Sequence, residues 1–507
     1  TSCENGIHEN GRCYKAGGSV WCGWEYYHRK KNENNRAENN RAEEIKKYIP
    51  KKIFKFLQPA YHFLLSAIAA FWYHFPSDKL IVIGITGTTG KTTSLFLMAK
   101  TLVNAGYKVG YISTAMFSDG QTEWLNDKKM TMPGRFFSQK ILAQMVKNKC
   151  HYVIIETTSE GIEQFRHRFI NYDILIFTCL YPEHIESHGS FENYKQAKGK
   201  LFAHLKKCHT KYVDEQKIIK QPDSGIKKIG LNRIKKTIIA NADDKYANYF
   251  FDFWAEEKIG YTNKVKSQKL KVKSNLNVII EYGNINVSEV AINFFVEETN
   301  IVLKLLGEFN VVNAMNAVCL GVSQGISLAK VANGLSKVGQ MPGRLEIIKE
   351  KQPFTVIVDY AFEPVAITKL YEAVKVLSHH KIIHLLGSCG GGRDKSRRSE
   401  LGKIAGVKAD IVIITNEDPY DEDPQIIIEQ VAISAKNVGK IIDKNLFKIL
   451  DRREAIKKAL SLAKDGDLVL ITGKGCEQKM CVADGVKIPW DDRKVVREEL
   501  LGIGILY

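Results

Sequence analysis

At 507 residues the chain is too long for one hydrophobic core and fits about three domains of ~150 residues each. Hydrophobic content of 44% with 26% charged residues is that of an ordinary soluble globular protein. The 74 basic against 56 acidic residues, +18 in all, point to anionic partners. No aromatic-interleaved basic strip accompanies that excess, so a nucleotide or phosphorylated substrate is expected and a nucleic-acid partner is not.

Residues 1–44 read as a disordered extension, with Glu-Asn-Asn-Arg-Ala occurring twice between residues 33 and 42. Cys3, Cys13 and Cys22 match no zinc spacing. The later cysteines Cys150, Cys179, Cys208, Cys319 and Cys389 stand singly, as reduced cytosolic thiols do. Phe54 to Phe75 is the one membrane candidate. Its apolar stretch, Phe63 to Tyr73, is shorter than the ~20 residues a span needs. A helix packed on the next domain is expected there. The alternative is a basic amphipathic helix over 53–75, preceded by Lys46, Lys47, Lys51 and Lys52, touching the inner membrane surface of a cytoplasmic protein.

From Lys79 to about Leu180 apolar runs and helical spacings alternate, which predicts a mostly parallel sheet covered by helices. The most informative segment follows the run Leu80–Ile85: Thr86-Gly87-Thr88-Thr89-Gly90-Lys91-Thr92-Thr93. Leu95, Met98, Ala99 and Leu102 continue it with helical spacing. Strand, glycine-bearing loop and helix N-terminus in that order make a phosphate cradle, with backbone N–H groups and the helix dipole facing the anion. Lys91 would reach the β- and γ-phosphates of a nucleoside triphosphate, and the Thr92 hydroxyl would hold Mg²⁺. The strict pattern needs glycine at position 85, which here is Ile85, so the context carries the reading.

Tyr152–Glu156 reads as a strand whose terminal carboxylate, Glu156, lies where a phosphate-loop enzyme places a Mg²⁺ ligand. His184 and His188 have i, i+4 spacing without the glutamate of a zinc-protease motif. On residues alone Lys198 is an ordinary helix lysine. Residues 264–306 read as short antiparallel strands. Near Met341-Pro342-Gly343-Arg344 a second, doubly wound Rossmann-like α/β unit begins, with strands at 355–359, 382–386, 411–415 and 468–472. Two such units suggest a site in the cleft between them.

Several blocks then carry a resemblance. Thr86–Thr93 resembles the nucleotide loop of the Mur ligases, which add amino acids to the peptidoglycan precursor. Glu156-Thr157-Thr158-Ser159, Gln164-Phe165-Arg166, His184 to Gly189 and Tyr194 to Lys198 follow the tripeptide-synthetase branch of that family without gaps. Asn241–Asp244, Gly307–Ala314, Pro342-Gly343-Arg344, Val358–Ala361, Gly390–Lys395 and Thr472–Glu477 extend the match over about residues 79–507. The resemblance implies an α/β central ATP-binding domain over 79–340 and a C-terminal domain over 341–507. Gly87, Thr88, Thr89, Gly90, Lys91, Thr92 and Thr93 would hold the phosphates of ATP. Asn310 and Asn313 would contact the adenine side, with Arg344 and Asp359 closing from the linker and last domain. Lys91, Glu156, His184 and Lys198 would be catalytic. Thr92 and Glu156 would bind one Mg²⁺ and His184 a second, with Lys198 carbamylated into a carboxylate-like ligand. Ser159, Gln164, Arg166, Arg393, Asp418 and Glu477 would hold substrate. The implied reaction phosphorylates a carboxylate of a UDP-N-acetylmuramyl-dipeptide-type acceptor and joins it to a free amino acid.

Three departures qualify that implication. Only about 40 credible residues, Ile45 to Gly84, precede the nucleotide loop, and 45–78 stands where the family has a UDP-binding domain. Phe362 replaces a common histidine. Tyr420, in Asn416-Glu417-Asp418-Pro419-Tyr420, replaces the arginine that pairs with the distal carboxylate in diaminopimelate enzymes. Glu477 stays as a partner for a distal ammonium, which leaves lysine, ornithine and an altered diaminopimelate mode as alternatives. A ligase acting on a lipid-linked muramyl peptide, a folylpolyglutamate synthetase, and a nucleotide-binding regulator without catalysis are the competing functions.

Overall fold

The computed structural model describes the backbone at 8–9, 12–15, 18–20, 51–183, 185–220, 231–264 and 276–502, with side chains from 57 onward except at 185. The chain divides into Thr1–Leu64 and Leu65–Tyr507. In the first unit, His8–Glu9, Arg12–Lys15 and Gly18–Val20 form an antiparallel three-stranded sheet. The expected disorder of the rest of 1–44 lies outside the described residues. Helix α1, Lys51–Trp72, starts in this unit and ends in the second. In its last turns Ser66, Ala69 and Ala70 are buried, and the Ser66 hydroxyl donates to Phe165 O at 3.0 Å. Among the described residues no helix is long and apolar enough to cross a membrane.

The second unit is built on two large sheets, beside a small three-stranded one (Lys211–Val213, Ile219–Lys220, Asn232–Ile234) and a two-stranded one (Lys479–Cys481, Lys487–Pro489). The larger is 11-stranded. Its strands are β1 Ile81–Thr86, β2 Val109–Ile112, β3 Met116–Ser118, β4 Glu123–Leu125, β5 Tyr152–Glu156 and β6 Ile174–Phe177. They continue with β7 Thr237–Asn241, β8 Glu257–Asn263, β9 Val278–Val287, β10 Ile292–Val296 and β11 Thr299–Leu303. The spatial order is β11-β10-β9-β8-β7-β6-β1-β5-β2-β3-β4. Neighbours from β9 to β2 are parallel, and the hairpins at either edge are antiparallel. Every residue of β1 is buried, as expected of a strand covered on both faces. Gly84 is required in it: a Cβ there would lie 2.8 Å from Leu175 Cδ2 on the neighbouring strand β6 and 2.8 Å from the Tyr172 ring just before it.

Residues 264–306 are therefore not a separate antiparallel unit. The first half of β9 pairs in parallel with β8, and β10 and β11 extend the same sheet. Alternating side chains look the same whichever way the partner strand runs, so the sequence pattern could not separate these cases.

The second sheet is six-stranded: β12 Glu346–Ile348, β13 Thr355–Asp359, β14 Ile382–Leu386, β15 Ile411–Thr415, β16 Leu446–Ile449 and β17 Leu468–Thr472. Its order is β12-β13-β17-β14-β15-β16, parallel except at β12. The four strands expected from sequence sit at its centre.

A buried ion cluster pins the start of the larger sheet. Asp173 accepts from Val82 N at 2.9 Å, from Lys211 Nζ at 2.6 Å and from Lys236 Nζ at 2.8 Å, with all three charged groups buried. Asp173→Ala strands two lysines in the interior. A loss of about 3–5 kcal/mol is expected, read as a lower denaturation midpoint against the unmodified chain.

Candidate active-site cleft

The carboxyl ends of β1, β5 and β6 point at one place, which is where open parallel sheets bind ligands. Beyond β1 the loop Gly87–Gly90 leads into helix α2, Lys91–Asn104, whose cap Gly90 has φ +79°. A Cβ at Gly90 would lie 2.4 Å from Asn313 Oδ1, so the loop needs glycine both for backbone conformation and for space. Lys91 folds back over the loop, its Nζ donating to Gly87 O at 3.0 Å and Thr88 O at 2.8 Å. Thr178, just past β6, donates from Oγ1 to Thr89 O at 2.7 Å and braces the other side.

Glu156 is fully buried at the end of β5. The Thr92 hydroxyl donates to its Oε1 at 2.6 Å, and Thr114 donates to its Oε2 from both the hydroxyl, at 2.7 Å, and the backbone N–H. Arg344 Nη2 donates to Thr92 Oγ1 at 3.2 Å and stacks over the Tyr360 ring. A hydroxyl and a carboxylate in contact beside a phosphate loop are the oxygen donors a hard cation such as Mg²⁺ takes.

Helix α3, Ser159–Glu163, is capped by Thr158, and helix α4, Phe191–Leu205, by Ser190. Helix α4 carries Lys198. This lysine is only 2% exposed and donates from Nζ to Gly87 O at 3.0 Å, with Tyr194 under its ammonium. Burial, reinforced by the neighbouring Lys91, holds its amine well below the usual lysine range. The ordinary helix lysine of the sequence reading is thus an interior group at the mouth of the phosphate loop. His188 Nε2 contacts Ser159 Oγ at 3.0 Å and is half-buried, not a surface group. His184 lies outside the described residues.

The loop opens into a cavity of about 1160 Å³. Its lining takes in Thr88–Thr93 and, from helix α5, Phe309–Ser323, both Asn310 and Asn313. Those two asparagines are paired, Asn313 Nδ2 donating to Asn310 Oδ1 at 2.8 Å. Arg344 and Asp359 line it from the linker and β13, and Asp359 accepts from Leu345 N at 2.7 Å and Ala361 N at 2.6 Å. Burial pushes the Asp359 carboxyl up, against the pull of Arg344. Ser159, Gln164 and Arg166 share the lining, with Arg166 Nη2 donating to Gln164 Oε1 at 2.7 Å. At the far end Arg393 lies 3.7 Å from Glu160, and Asp418 and Glu477 close the wall. Gly87, Glu156 and Lys198 stand behind the lining and reach it through the hydrogen bonds above.

Four groups here were not singled out from sequence. Glu363, 4% exposed, accepts from the Tyr181 hydroxyl at 3.2 Å. Burial raises its carboxyl while Lys91 and Arg397 pull it down. It follows Phe362, and that departure from the family pattern was the available signal. Lys474 lay inside the Thr472–Glu477 block without being given a role, and Thr114 and Lys129 carried no signal. Lys129 Nζ sits between Asp418 and Glu477, and Lys474 Nζ donates to the same two carboxylates.

Comparison with known proteins agrees with this geometry. Residues 85–232 match the Mur ligase middle domain, and residues 343–475 match the Mur ligase glutamate ligase domain. Over 446 residues the chain is 32% identical to a UDP-N-acetylmuramyl-tripeptide synthetase of a Roseiflexus species, covering 87% of this chain and 82% of that one. Over 444 residues it is 32% identical to UDP-N-acetylmuramoyl-L-alanyl-D-glutamate--2,6-diaminopimelate ligase 1 of Clostridium acetobutylicum, covering 86% and 81%. In fold it is similar to UDP-N-acetylmuramoylalanyl-D-glutamyl-2,6-diaminopimelate--D-alanyl-D-alanyl ligase from Acinetobacter baumannii, at TM-score 0.55 and 14% identity over 87% of this chain and 79% of that one. With both domain types in order and this identity over most of its length, the chain belongs to the Mur ligase family and is an ATP-dependent, amide-forming ligase of peptidoglycan synthesis.

Proposed function

We propose that this ligase adds a diamino acid to a UDP-N-acetylmuramyl-L-alanyl-D-glutamate-type acceptor through an acyl phosphate. One observation carries the reading: a single cavity joins the phosphate loop to Ser159, Gln164 and Arg166 and to the carboxylates Asp418 and Glu477. The relatives named for tripeptide synthesis and for diaminopimelate addition support it. On this reading residues 79–340 hold ATP and the acceptor, and 341–507 bring the amino acid.

The chemistry follows from the residues. Gly87, Gly90 and the first turn of α2 present N–H groups to the phosphates of ATP, and Lys91 swings from the loop carbonyls onto the β- and γ-phosphates. Asn310 and Asn313 take the adenine side. The acceptor carboxylate, held by Arg166, attacks the γ-phosphorus and ADP leaves. The incoming amine then attacks the acyl carbon, loses a proton and expels phosphate. Thr92 and Glu156 are the donors for one Mg²⁺, and His184 with a carbamylated Lys198 for a second; when bound, the ions neutralise charge on the transferring phosphoryl. The depressed Lys198 supports that modification. Its uncharged amine form adds to CO₂ and gives up a proton, which leaves a carbamate anion where the amine stood; a lowered proton affinity makes that form more accessible.

A peripheral membrane contact fits the same reading. Ile68, Phe71 and Trp72 of α1 are exposed, the last two by 73% and 69%, and five lysines lie close before them in sequence.

Phosphate release from ATP with UDP-N-acetylmuramyl-dipeptide, screened against lysine, ornithine and meso-diaminopimelate with product masses, tests the function. One amino acid is expected to give release and the matching mass, and silence with all of them rejects the acceptor. Lys198→Ala is expected to cut ligation about 100-fold or more while ATP binding stays nearly intact, without rescue by bicarbonate. Normal turnover would remove the carbamate. Replacing Phe71 and Trp72 with serine is expected to reduce co-sedimentation with anionic liposomes, and unchanged sedimentation would end the membrane reading.

A further inference from the structure

The amino-acid end of the cavity contains a cation of its own. Lys129 belongs to the loop after β4, far in sequence from the last domain, yet its ammonium is only 8% exposed. It donates to Asp418 Oδ2, to Glu477 Oε2 at 2.7 Å and to Lys479 O at 3.1 Å. Lys474, fully buried, donates to Asp418 Oδ1 at 3.0 Å, to Glu477 Oε2 at 2.6 Å and to Lys479 O at 2.7 Å. Tyr360 donates from its hydroxyl to Glu477 Oε1 at 3.2 Å, and Cys481 N donates to Asp418 Oδ1 at 2.7 Å. Two carboxylates thus face two ammonium groups and the cluster is neutral.

The placement of Lys129 is built into its loop. Its φ of +52° is left-handed, a conformation that side chains with a Cβ disfavour. Asn126 holds the turn from both sides: its Nδ2 donates to Ser113 O at 2.8 Å and Met130 O at 3.0 Å, and its Oδ1 accepts from Lys128 N at 2.9 Å. Asp418 and Glu477 hold the Lys129 ammonium in its charged form despite burial. Lys129 therefore fills the place where the distal ammonium of a diamino acid would meet these carboxylates.

We propose that Lys129 is a specificity-determining residue, a tethered ammonium on Asp418 and Glu477 that the distal ammonium of an incoming diamino acid has to displace. The inference rests on the amino-acid-addition reading above. A third cation cannot join a pair of carboxylates already balanced by two, so binding requires Lys129 to leave. Apparent affinity then falls by the fraction of molecules in which it has left. An amino acid without a second ammonium meets no such competitor. Removing Lys129 leaves two carboxylates against Lys474 alone, a net negative pocket.

The test is calorimetric titration of the full chain with L-lysine and with L-norleucine, which matches lysine in length but lacks the ammonium. Lys129→Met, which keeps much of the apolar stem, is expected to tighten lysine binding about tenfold or more while norleucine changes little. Lys129→Arg keeps a cation and is expected to leave lysine weak. Lysine binding that is unchanged or weaker in Lys129→Met, in a variant whose thermal midpoint and ATP binding are retained, overturns the inference. So does an equal gain for norleucine. Lysine→Met at this position failing to fold is covered by Lys129→Gln, read in the same way. The titration needs no acceptor, so it separates from the function test: tighter lysine binding without ligation would reject the acceptor and keep the role of Lys129.

Discussion

The carbonyl oxygen of Gly87 accepts hydrogen bonds from two lysines, Lys91 at 3.0 Å and Lys198 at 3.0 Å, and the rest of the cleft is arranged around that crowding. Burial, with Lys91 beside it, lowers the affinity of Lys198 for its proton. Among the described residues the hydrogen bonds of the Lys91 ammonium go to the carbonyls of Gly87 and Thr88, and an anion arriving at the loop gives it a charged partner. The loop is thus preorganised for negative charge before any is present, the condition under which electrostatic stabilisation is most effective.

The two ends of the cleft are also physically joined. Glu156 accepts from Thr92 on the nucleotide side and from Thr114, whose hydroxyl pairs with Thr131 at 2.9 Å. Thr131 is two residues from Lys129, whose ammonium lies on Asp418 and Glu477. Polar contacts from the phosphate loop to Thr131, and two residues of backbone from there to Lys129, therefore connect the loop to the carboxylates Asp418 and Glu477. Arg344 adds a second link, from the linker to Thr92.

How far the sequence revealed this depends on the range of the interaction. β1, the loop and α2 are contiguous, so their order alone disclosed a phosphate cradle, and Glu156 was legible because a strand-end carboxylate beside such a loop has few other uses. β7 and β16 escaped notice because strands of five and four residues leave little periodicity. Lys198 was legible only through its motif. Its burial comes from α4 packing under the loop, which helical spacing does not report. Lys129 could not have been read at all: its partners are 289 and 348 residues away, and its neighbours give a solvated loop of lysines and polar residues.

The charge state of the acidic end follows from competition among its carboxylates. Glu417 and Asp418 are adjacent and both buried, and burial alone raises both carboxyls. Asp418 is driven up by burial, but Lys474 and Lys129 outweigh that and hold it below the usual range. Glu417 has no lysine in contact, takes a hydrogen bond from the Cys389 thiol at 2.9 Å, and is raised by burial, with Asp418 adding to the rise. The two neighbouring carboxyls are thus pushed apart, Glu417 upward by burial and Asp418, and Asp418 downward by its lysines. Asp418 and Glu477 share Lys474 and Lys129. On the proposed reading Lys129 and the distal ammonium of the substrate are rivals for one of those two cation positions.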